Sequence, residues 1–270
     1  EILRCLVGSE MCIRDSNSPI DIDKLIEGTN EILSANRNSL QLFDMLHSMR
    51  QFDDLTYVHS VNVALIASIL GQWLKFSEKD IRILTISGLL HDIGKIMIPN
   101  EILTKPGKLT VAEYNIMKQH VNFGYEKVKN QNIDIRIKEA CLLHHEKCDG
   151  TGYPFGLKSD QIPAVAKIIA IADVYDAMTS ARVYRGALCP FEVIDTMYKD
   201  AFTKFEPEYI LPFLKNVASS YINNDVRLSD GRIGKVVLIN ENALSLPIVQ
   251  CEDEFIDLSK TRGLTVSAIL

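Results

Sequence analysis

The stretch His91-Asp92-Ile93-Gly94-Lys95 sets an imidazole beside a carboxylate at the end of a predicted helix. Ser77, followed three residues later by Asp80, indicates where that helix begins. Gly94 then loosens the chain directly after it. Imidazole and carboxylate are side chains that hold divalent metals in proteins. The stretch therefore predicts a helix end that carries metal ligands.

Other histidines and one more acid suit the same site. Five of the six histidines of the chain fall between residues 59 and 145. His59 precedes the first stretch, while His120 and the pair His144-His145 follow it, and Asp173 lies further downstream. We predict that folding gathers these side chains around metal ions. His47 lies outside this set, and we interpret it as a surface or packing residue.

A glycine-rich string follows the histidine pair. It reads Glu146, then Asp149-Gly150-Thr151-Gly152-Tyr153-Pro154. Glycine and proline at this density predict a loop. For Gly152, Tyr153 and Pro154 two interpretations stay open. They shape the loop, or they contact a guanine base or a partner protein.

In their order and wording, these motifs closely resemble the HD-GYP family of metal-dependent phosphodiesterases, which cleave the bacterial second messenger cyclic di-GMP. The resemblance runs from about Thr56 to Pro207, over half of the chain. It implies an HD-type helical bundle and hydrolysis of cyclic di-GMP to linear pGpG, with GMP as a further product. Water activated at a pair of metals about 4 Å apart would attack phosphorus in line.

The resemblance also implies how the ligands divide. Asp92 bridges two ions; His59, His91 and Asp173 complete one metal, and His120, His144 and His145 complete the other. Some members hold a third metal through a Glu four residues before the first histidine, where this chain has Leu55, so we expect two ions. Iron or manganese is expected, with zinc and nickel as alternatives, because His and Asp ligands accept all four.

Lys95 is implied as a catalytic residue beside Asp92, because its ammonium can meet a non-bridging phosphate oxygen. Substrate contacts are expected from Lys95, Arg182, Tyr184 and Arg185, since guanidinium forks match phosphate geometry. Asp176 is expected to orient a histidine or Arg182 instead of binding metal.

The rest of the chain before residue 225 predicts helices. Apolar residues recur at three- and four-residue steps between Leu25 and Met49, and again from Val58 to Trp73. Thr110 and Glu113 have capping-box spacing and predict a helix through His120 to about Lys129. A further helix is predicted over residues 134–146, and Pro163, Pro190 and Pro207 each suit the first turn of another.

From Asp225 onward the pattern changes to short strands. Val226 and Leu228, a Ser-Asp-Gly turn, residues 233–239 and residues 247–249 indicate strands with hairpin signals. The predicted fold is therefore mainly α, with a helical catalytic domain over residues 17–222, a motif core over 56–207 and a small β appendage over 225–270.

Residues 56–74 contain no Asp, Glu, Lys or Arg and have the length of a membrane span. Ser60, Asn62 and other polar groups favour a buried core helix instead, because polar groups are costly in hydrocarbon. We expect no membrane insertion in this segment.

The net charge and the cysteine content indicate which partners and which cellular compartment to expect. The net charge of −6 gives no bulk electrostatic reason to bind a nucleic acid polymer. The six cysteines form no CxxC pair, which indicates reduced thiols in a bacterial cytoplasm. Residues 1–16 begin without Met and resemble a translated sequencing adapter, so we interpret them as a non-native leader and expect a sensory region to be missing.

Three functions stay open at this point. The first is hydrolysis of cyclic di-GMP, and the second is hydrolysis of another cyclic or linear nucleotide at the same metal site. The third is a catalytically silent receptor or adaptor that binds the messenger. The intact ligand set favours an enzyme. Candidate partners are a diguanylate cyclase or other signalling proteins, and a second copy of the chain in a homodimer.

Overall fold

The computed structural model describes residues 55–180 and 188–270. The chain forms two compact units, which divide between Asp176 and Ala177. The helices predicted between Leu25 and Met49, the leader over residues 1–16, and His47 lie outside the described residues. The predicted domain boundaries stay a prediction.

The first unit is helical. Its α-helices are α1 (Leu55–Trp73), α2 (Glu78–Leu90), α3 (Asn100–Leu103), α4 (Val111–Met117), α5 (His120–Val128), α6 (Ile135–Leu143) and α7 (Ala164–Thr179), the last of which runs on into the second unit. Short 3-10 helices cover Ile93–Met97 and Ser159–Gln161. α2 packs against both α1 and α6, and α5 packs against α6 and the first 3-10 helix.

The uncharged helix α1 lies in the core, as the sequence predicts. Its residues from Val61 to Gly71 are all buried. It approaches α2 closely at Gly88, where an added Cβ would lie 2.4 Å from the Ala64 Cα. Within the described residues, no helix is both long enough and apolar enough to cross a membrane.

The predicted start and end of α2 are confirmed. The Ser77 side chain accepts a hydrogen bond from the backbone N–H of Asp80 at 3.2 Å and caps the helix. The helix ends at Leu90, with His91 as its C-cap. A buried helix thus delivers His91 and Asp92 to the interior of the unit.

The helix predicted from Thr110 to Lys129 is wrong in one respect, because it is interrupted. The capping box between Thr110 and Glu113 is present, but α4 ends at Met117 and α5 begins at His120. Nδ1 of His120 lies 2.8 Å from the Met117 carbonyl oxygen, the acceptor that a continuous helix would give to the backbone of residue 121. The side chain therefore replaces a backbone bond at the break.

The helix predicted over residues 134–146 ends early. Asp134 caps it by accepting from the Arg136 N–H at 3.0 Å, but α6 stops at Leu143. The next turn tightens, and the Glu146 N–H donates to the Leu143 carbonyl at 2.9 Å. This turn frees the Glu146 side chain for the loop that follows.

The second unit combines helices with a sheet. α8 (Pro190–Asp200) and α9 (Pro207–Ser220) each begin at a proline, as predicted, whereas Pro163 lies directly before α7 instead of in its first turn. The strands are β1 (Asp225–Leu228), β2 (Ile233–Leu238), β3 (Ile248–Cys251), β4 (Glu254–Asp257) and β5 (Val266–Ile269). They form one antiparallel sheet in the order β4-β3-β2-β1-β5. A mainly α fold with a small C-terminal sheet is confirmed.

Candidate metal centre

Seven side chains predicted as ligands come together in the first unit. They form two groups, His59, His91 and Asp173 in one, and Asp92, His120, His144 and His145 in the other. Within each group the ligand atoms lie within 4.8 Å of one another. His145 has the most exposed side chain of the seven, at 27%. The role of these side chains as metal ligands, and their division between two ions, stay predictions.

Asp92 lies between the two groups. Its Oδ2 lies 3.6 Å from Nε2 of His59 and 3.3 Å from Nε2 of His91. Its Oδ1 lies 3.3 Å from Nε2 of His120 and 3.8 Å from Nε2 of His144. Each oxygen of this one carboxylate therefore faces a different pair of imidazoles.

Asp173, on α7, spans the groups in the same way. Its Oδ1 lies 3.1 Å from Nε2 of His59, and its Oδ2 lies 3.9 Å from Nδ1 of His145. Two carboxylates from distant parts of the sequence thus each contact both groups of side chains.

Backbone carbonyls orient three of the histidines. Nδ1 lies 2.7 Å from the Gly88 carbonyl oxygen in His91, and 3.0 Å from that of Ala140 in His144. The equivalent contact of His120 is the one to Met117. Because a carbonyl oxygen only accepts, Nδ1 carries the proton in each ring. The Nε2 lone pairs therefore face the centre, as a metal ligand requires.

Asp176 orients His59 from α7. Its Oδ2 lies 2.7 Å from Nδ1 of His59, and its Oδ1 accepts from Nδ2 of Asn62 at 2.8 Å. The contact to a histidine is one of the two alternatives that the sequence leaves open, and Arg182 lies outside the described residues. Asn62 was missed by the sequence analysis, although its place one helical turn after His59 put it on the same face.

The electrostatics favour ionised acids beside mostly neutral rings. Burial lowers the pKa of His120 and of His144, and it lowers the pKa of His145 to about 4. Burial acts in the opposite direction on Asp92, but Lys95 and the surrounding histidines hold its pKa well below the usual range. Neutral imidazole and ionised carboxylate are the forms that bind metal.

His59 differs from the other rings. Burial lowers its pKa, but the nearby carboxylates of Asp173, Asp176 and Asp92 raise the pKa to about 9. Without metal, the His59 ring therefore holds a proton at neutral pH.

Unpartnered buried atoms test whether these residues fit a metal. Nε2 of His59, Nε2 of His91 and Oδ1 of Asp92 are buried, and none has a hydrogen-bond partner within residues 55–180 and 188–270. Burying a polar atom without a partner is costly, so such atoms call for an explanation. Nε2 of His59 and Nε2 of His91 face Oδ2 of Asp92, and Oδ1 of Asp92 faces Nε2 of His120, so all three atoms belong to a nitrogen and oxygen donor set. The cluster fits a divalent metal.

Lys95 is held at the same carboxylate. The 3-10 helix Ile93–Met97 carries it, and its Nζ forms an ion pair with Oδ2 of Asp92. This helix lies directly on α5, because a Cβ at Gly94 would lie only 1.9 Å from the His120 carbonyl oxygen. The missing side chain of Gly94 thus allows Lys95 to reach the centre.

The Gly-Tyr-Pro loop borders the centre through Tyr153. The Tyr153 ring stacks on His145, with 4.8 Å between ring centroids and 27° between planes. Gly152 passes so close to the chain that a Cβ would lie 2.4 Å from the Glu146 Cα. The Tyr153-Pro154 peptide is cis. In this structure the string shapes the loop and places an aromatic ring beside a predicted ligand.

Glu146 holds this loop, a role that the sequence analysis missed. Its carboxylate accepts backbone hydrogen bonds from Phe155 at 2.7 Å, Gly156 at 3.2 Å and Leu157 at 2.9 Å. Glu146 is 4% exposed. A buried acid beside two histidines resembles a ligand in sequence, yet here it satisfies loop amides. Arg182, Tyr184 and Arg185 lie outside the described residues.

Together, the fold and the site define a class, a helical protein with a buried histidine and aspartate cluster able to bind divalent metal. The family model of the HD domain matches residues 29–209. The chain belongs to the HD domain family, and its His-Asp and Gly-Tyr-Pro motifs are those of the HD-GYP type that the sequence predicts.

Two relatives and one solved structure show the extent of the likeness. The chain is 37% identical over 203 residues to a protein named cyclic di-GMP phosphodiesterase PA4108 from Pseudomonas aeruginosa, covering 75% of this chain and 49% of that protein. It is also 37% identical over 173 residues to 3'3'-cGAMP-specific phosphodiesterase 1 of Vibrio cholerae, covering 63% of this chain and 38% of that protein. The chain thus spans half or less of the length of these relatives.

The solved structure is Bd1817, described as a HDG"Y"P protein from Bdellovibrio bacteriovorus. It matches with a TM-score of 0.65 at 19% identity, covering 78% of this chain and 69% of the other. This likeness concerns the fold.

Proposed function

We propose that the chain is a metal-dependent phosphodiesterase that hydrolyses cyclic di-GMP, with linear pGpG as the first product and GMP as the product of a second cleavage. The observation that carries the proposal is the position of Asp92, whose two oxygens face two separate pairs of imidazoles. One carboxylate placed in this way can join two metal ions, as phosphoester hydrolysis often requires. The similarity to a named cyclic di-GMP phosphodiesterase supports the substrate.

The proposed ligands are the seven clustered residues, with Asp92 shared. His59, His91 and Asp173 would hold one ion, and His120, His144 and His145 would hold the other. Two iron or manganese ions are proposed, with zinc and nickel as alternatives, because nitrogen and carboxylate donors accept all four. Divalent ions bound here supply positive charge to phosphate oxygens and make a bound water more acidic.

The chain's own residues would position the substrate. Lys95 lies at Asp92 and can donate to a non-bridging oxygen of the scissile phosphate. Arg182, Tyr184 and Arg185 are proposed as further substrate contacts from their motif alone. The carbonyl-bonded Nδ1 atoms keep the Nε2 atoms of His91, His120 and His144 aimed at the centre before any ligand arrives, which reduces the cost of ordering the site.

A second candidate keeps the metal centre and changes the substrate. The similarity to a relative named for 3'3'-cGAMP favours it, since that protein is as close in identity as the cyclic di-GMP phosphodiesterase. A silent receptor finds less support, because a binding module has no need of two complete groups of ligand atoms.

The experiment uses the purified chain loaded anaerobically with Fe(II) or with Mn(II). Its turnover of cyclic di-GMP, 3'3'-cGAMP and cyclic di-AMP is followed by chromatography of the products. We expect cyclic di-GMP to be cleaved fastest, and Asp92→Ala to lose both metal and turnover. Asp160→Ala removes an exposed carboxylate in the second 3-10 helix and is the matched control.

The possible results separate the candidates. Cleavage of 3'3'-cGAMP far faster than cyclic di-GMP would favour the second candidate. Binding of the messenger by metal-loaded protein without cleavage would favour the receptor. Full activity in the Asp92→Ala variant would overturn the role of this carboxylate.

The location and partners are proposals as well. We propose the bacterial cytoplasm, consistent with cysteines in no disulfide-type pattern, and no binding to nucleic acid polymers at a net charge of −6. A diguanylate cyclase and a second copy of the chain are the partners to test first. Co-purification and light scattering measure these two interactions.

A further inference from the structure

Lys118 lies between two tyrosine rings beside the metal centre. Its Nζ lies 5.4 Å from the centroid of the Tyr114 ring and 6.0 Å from that of Tyr153. The Tyr153 ring in turn stacks on His145. A single aromatic ring therefore separates this ammonium from a predicted metal ligand.

The ammonium of Lys118 has N–H groups that can donate hydrogen bonds to a ligand. In contrast to Lys95, which pairs with Asp92, it has no carboxylate within ion-pair distance in the part of the chain that the structure describes. Its contacts there are with the two rings, and a cation over a ring face still has N–H groups to donate. The Tyr114 residue is 49% exposed, so it is accessible to a ligand.

The position of Lys118 is tied to the centre through the backbone. It follows Met117, the last residue of α4, whose carbonyl oxygen accepts from Nδ1 of His120. Tyr114 is one turn earlier on the same helix, and the Lys118 N–H donates to the Tyr114 carbonyl at 2.9 Å. The break that orients His120 thus also places Tyr114 and Lys118 at the edge of the site.

We propose that Tyr114 and Lys118 form a base-recognition subsite that selects guanine over adenine. The proposal rests on the function proposed above and names its specificity residue. Aromatic side chains bind bases by stacking, whatever the base. A base lying against the exposed Tyr114 ring would bring its edge to the ammonium. Guanine offers two adjacent acceptors there, O6 and N7, whereas adenine offers N7 beside an amino donor.

Lysine therefore suits guanine better than adenine at this edge, because guanine offers it two acceptors and adenine one, while Tyr114 contributes to binding of both. Lys95 is already engaged at Asp92 near the expected position of the scissile phosphate. With Lys95 at the phosphate, Lys118 is the lysine that we assign to the base. The subsite lies outside the histidine, aspartate and Gly-Tyr-Pro motifs, so it offers one way for closely similar chains to differ in substrate.

The test compares Lys118→Ala, Lys118→Gln and Tyr114→Ala with the metal-loaded wild type. For each protein, kcat and KM are measured on cyclic di-GMP and cyclic di-AMP, and on bis(p-nitrophenyl) phosphate, a diester without a base. Lys129→Ala is the control, since Lys129 is exposed at the end of the next helix and pairs with Glu126 at 2.5 Å. Metal content and circular dichroism check that each variant is folded and loaded.

For Lys118→Ala we expect the KM for cyclic di-GMP to rise by about tenfold or more, as for loss of a hydrogen bond from a charged group. The loss on cyclic di-AMP and on the small diester should be several times smaller. Lys118→Gln should move the preference toward adenine, because an amide matches its N7 and amino group. Tyr114→Ala should weaken both dinucleotides alike.

Equal losses on both dinucleotides in Lys118→Ala would overturn base recognition and indicate a phosphate contact. Unchanged KM values would overturn the subsite. Dissociation constants for both dinucleotides, measured by calorimetry, test the same preference if the wild type binds without cleaving. In that case a guanine preference lost in Lys118→Ala supports the subsite while the proposed hydrolysis fails. A wild type that binds neither dinucleotide overturns both.

Discussion

Nδ1 of His120 lies 2.8 Å from the carbonyl oxygen of Met117, and this one bond both interrupts a helix and aims a ring. In a continuous helix the Met117 carbonyl would accept from a backbone amide instead. With the bond to Met117, Nε2 of His120 points at Oδ1 of Asp92, 3.3 Å away. The same contact therefore lies at the break in the backbone and orients the ring toward the site.

Replacing His120 should therefore remove the metal ion from one group of ligands and leave the ion in the other group. In His120→Ala, the group of Asp92, His144 and His145 loses a ligand, while His59, His91 and Asp173 are untouched. We expect the metal content to fall from about two ions to about one per chain, a two-metal site being the expectation. Metal analysis by mass spectrometry after desalting measures it.

The neighbouring Gln119→Ala is the control, because Gln119 is exposed beside the same break. It should keep the full metal content. Loss of all metal in His120→Ala would mean that the two groups do not bind independently.

Removing the charge of Glu146 should loosen the loop. In Glu146→Gln, one of the two acceptor oxygens becomes a donor and meets backbone N–H groups of Phe155, Gly156 or Leu157. Losing charged hydrogen bonds in a buried place should lower the free energy of unfolding by about 2 kcal/mol. Urea titration measures this change, and Glu101→Gln, at an exposed acid on α3, should be neutral. Equal stability of the two variants would contradict the role of Glu146.

Two facing glycines offer a matched pair for the contact between the first 3-10 helix and α5. A Cβ at Gly94 would lie 1.9 Å from the His120 carbonyl oxygen and 2.4 Å from the Gly124 N, whereas a Cβ at Gly124 first meets an atom at 3.4 Å. Gly94→Ala should therefore cost about 1–3 kcal/mol of stability and displace Lys95. Gly124→Ala should be tolerated, since alanine favours the helix. Thermal unfolding of both variants and their turnover of bis(p-nitrophenyl) phosphate test the contrast.

The clustering of the histidines and aspartates can be predicted from sequence because they are residue types suited to metal binding in an ordered series of motifs. All seven predicted ligands lie together, although their positions run from His59 to Asp173. The starts of α2 and α8 could be predicted as well, because capping serines and first-turn prolines act within a few residues.

What could not be predicted depends on contacts between distant residues or on side chains that take over backbone bonds. The break after Met117 needs the position of His120, and the loop contacts of Glu146 need the path of residues 155–157. β4 and β5 were missed as separate strands; they are the two edge strands of the sheet, and each owes its structure to pairing with a single neighbour.

The two unlike rings of the centre predict pH effects of opposite sign in metal-free protein. His59 has its pKa raised from 6.5 to about 9, so its ring stabilises the fold fully below pH 6.5, and this contribution is lost as the pH rises through 9. The pKa of His145 is lowered from 6.5 to about 4. As the pH falls, this histidine therefore takes up its proton in the unfolded chain before it does so in the folded protein. Stability is therefore lost as the pH falls from 6.5 toward 4.

Unfolding of metal-free protein in EDTA between pH 4 and pH 10 measures both effects against two variants. The stability advantage of wild type over His59→Gln should shrink between about pH 6.5 and pH 9, the range that the raised pKa of His59 sets. Relative to His145→Gln, wild type should lose stability below pH 6.5, because burial opposes protonation of that ring. Parallel curves for wild type and His59→Gln across the alkaline range would mean that Asp173 and Asp176 do not hold His59 protonated.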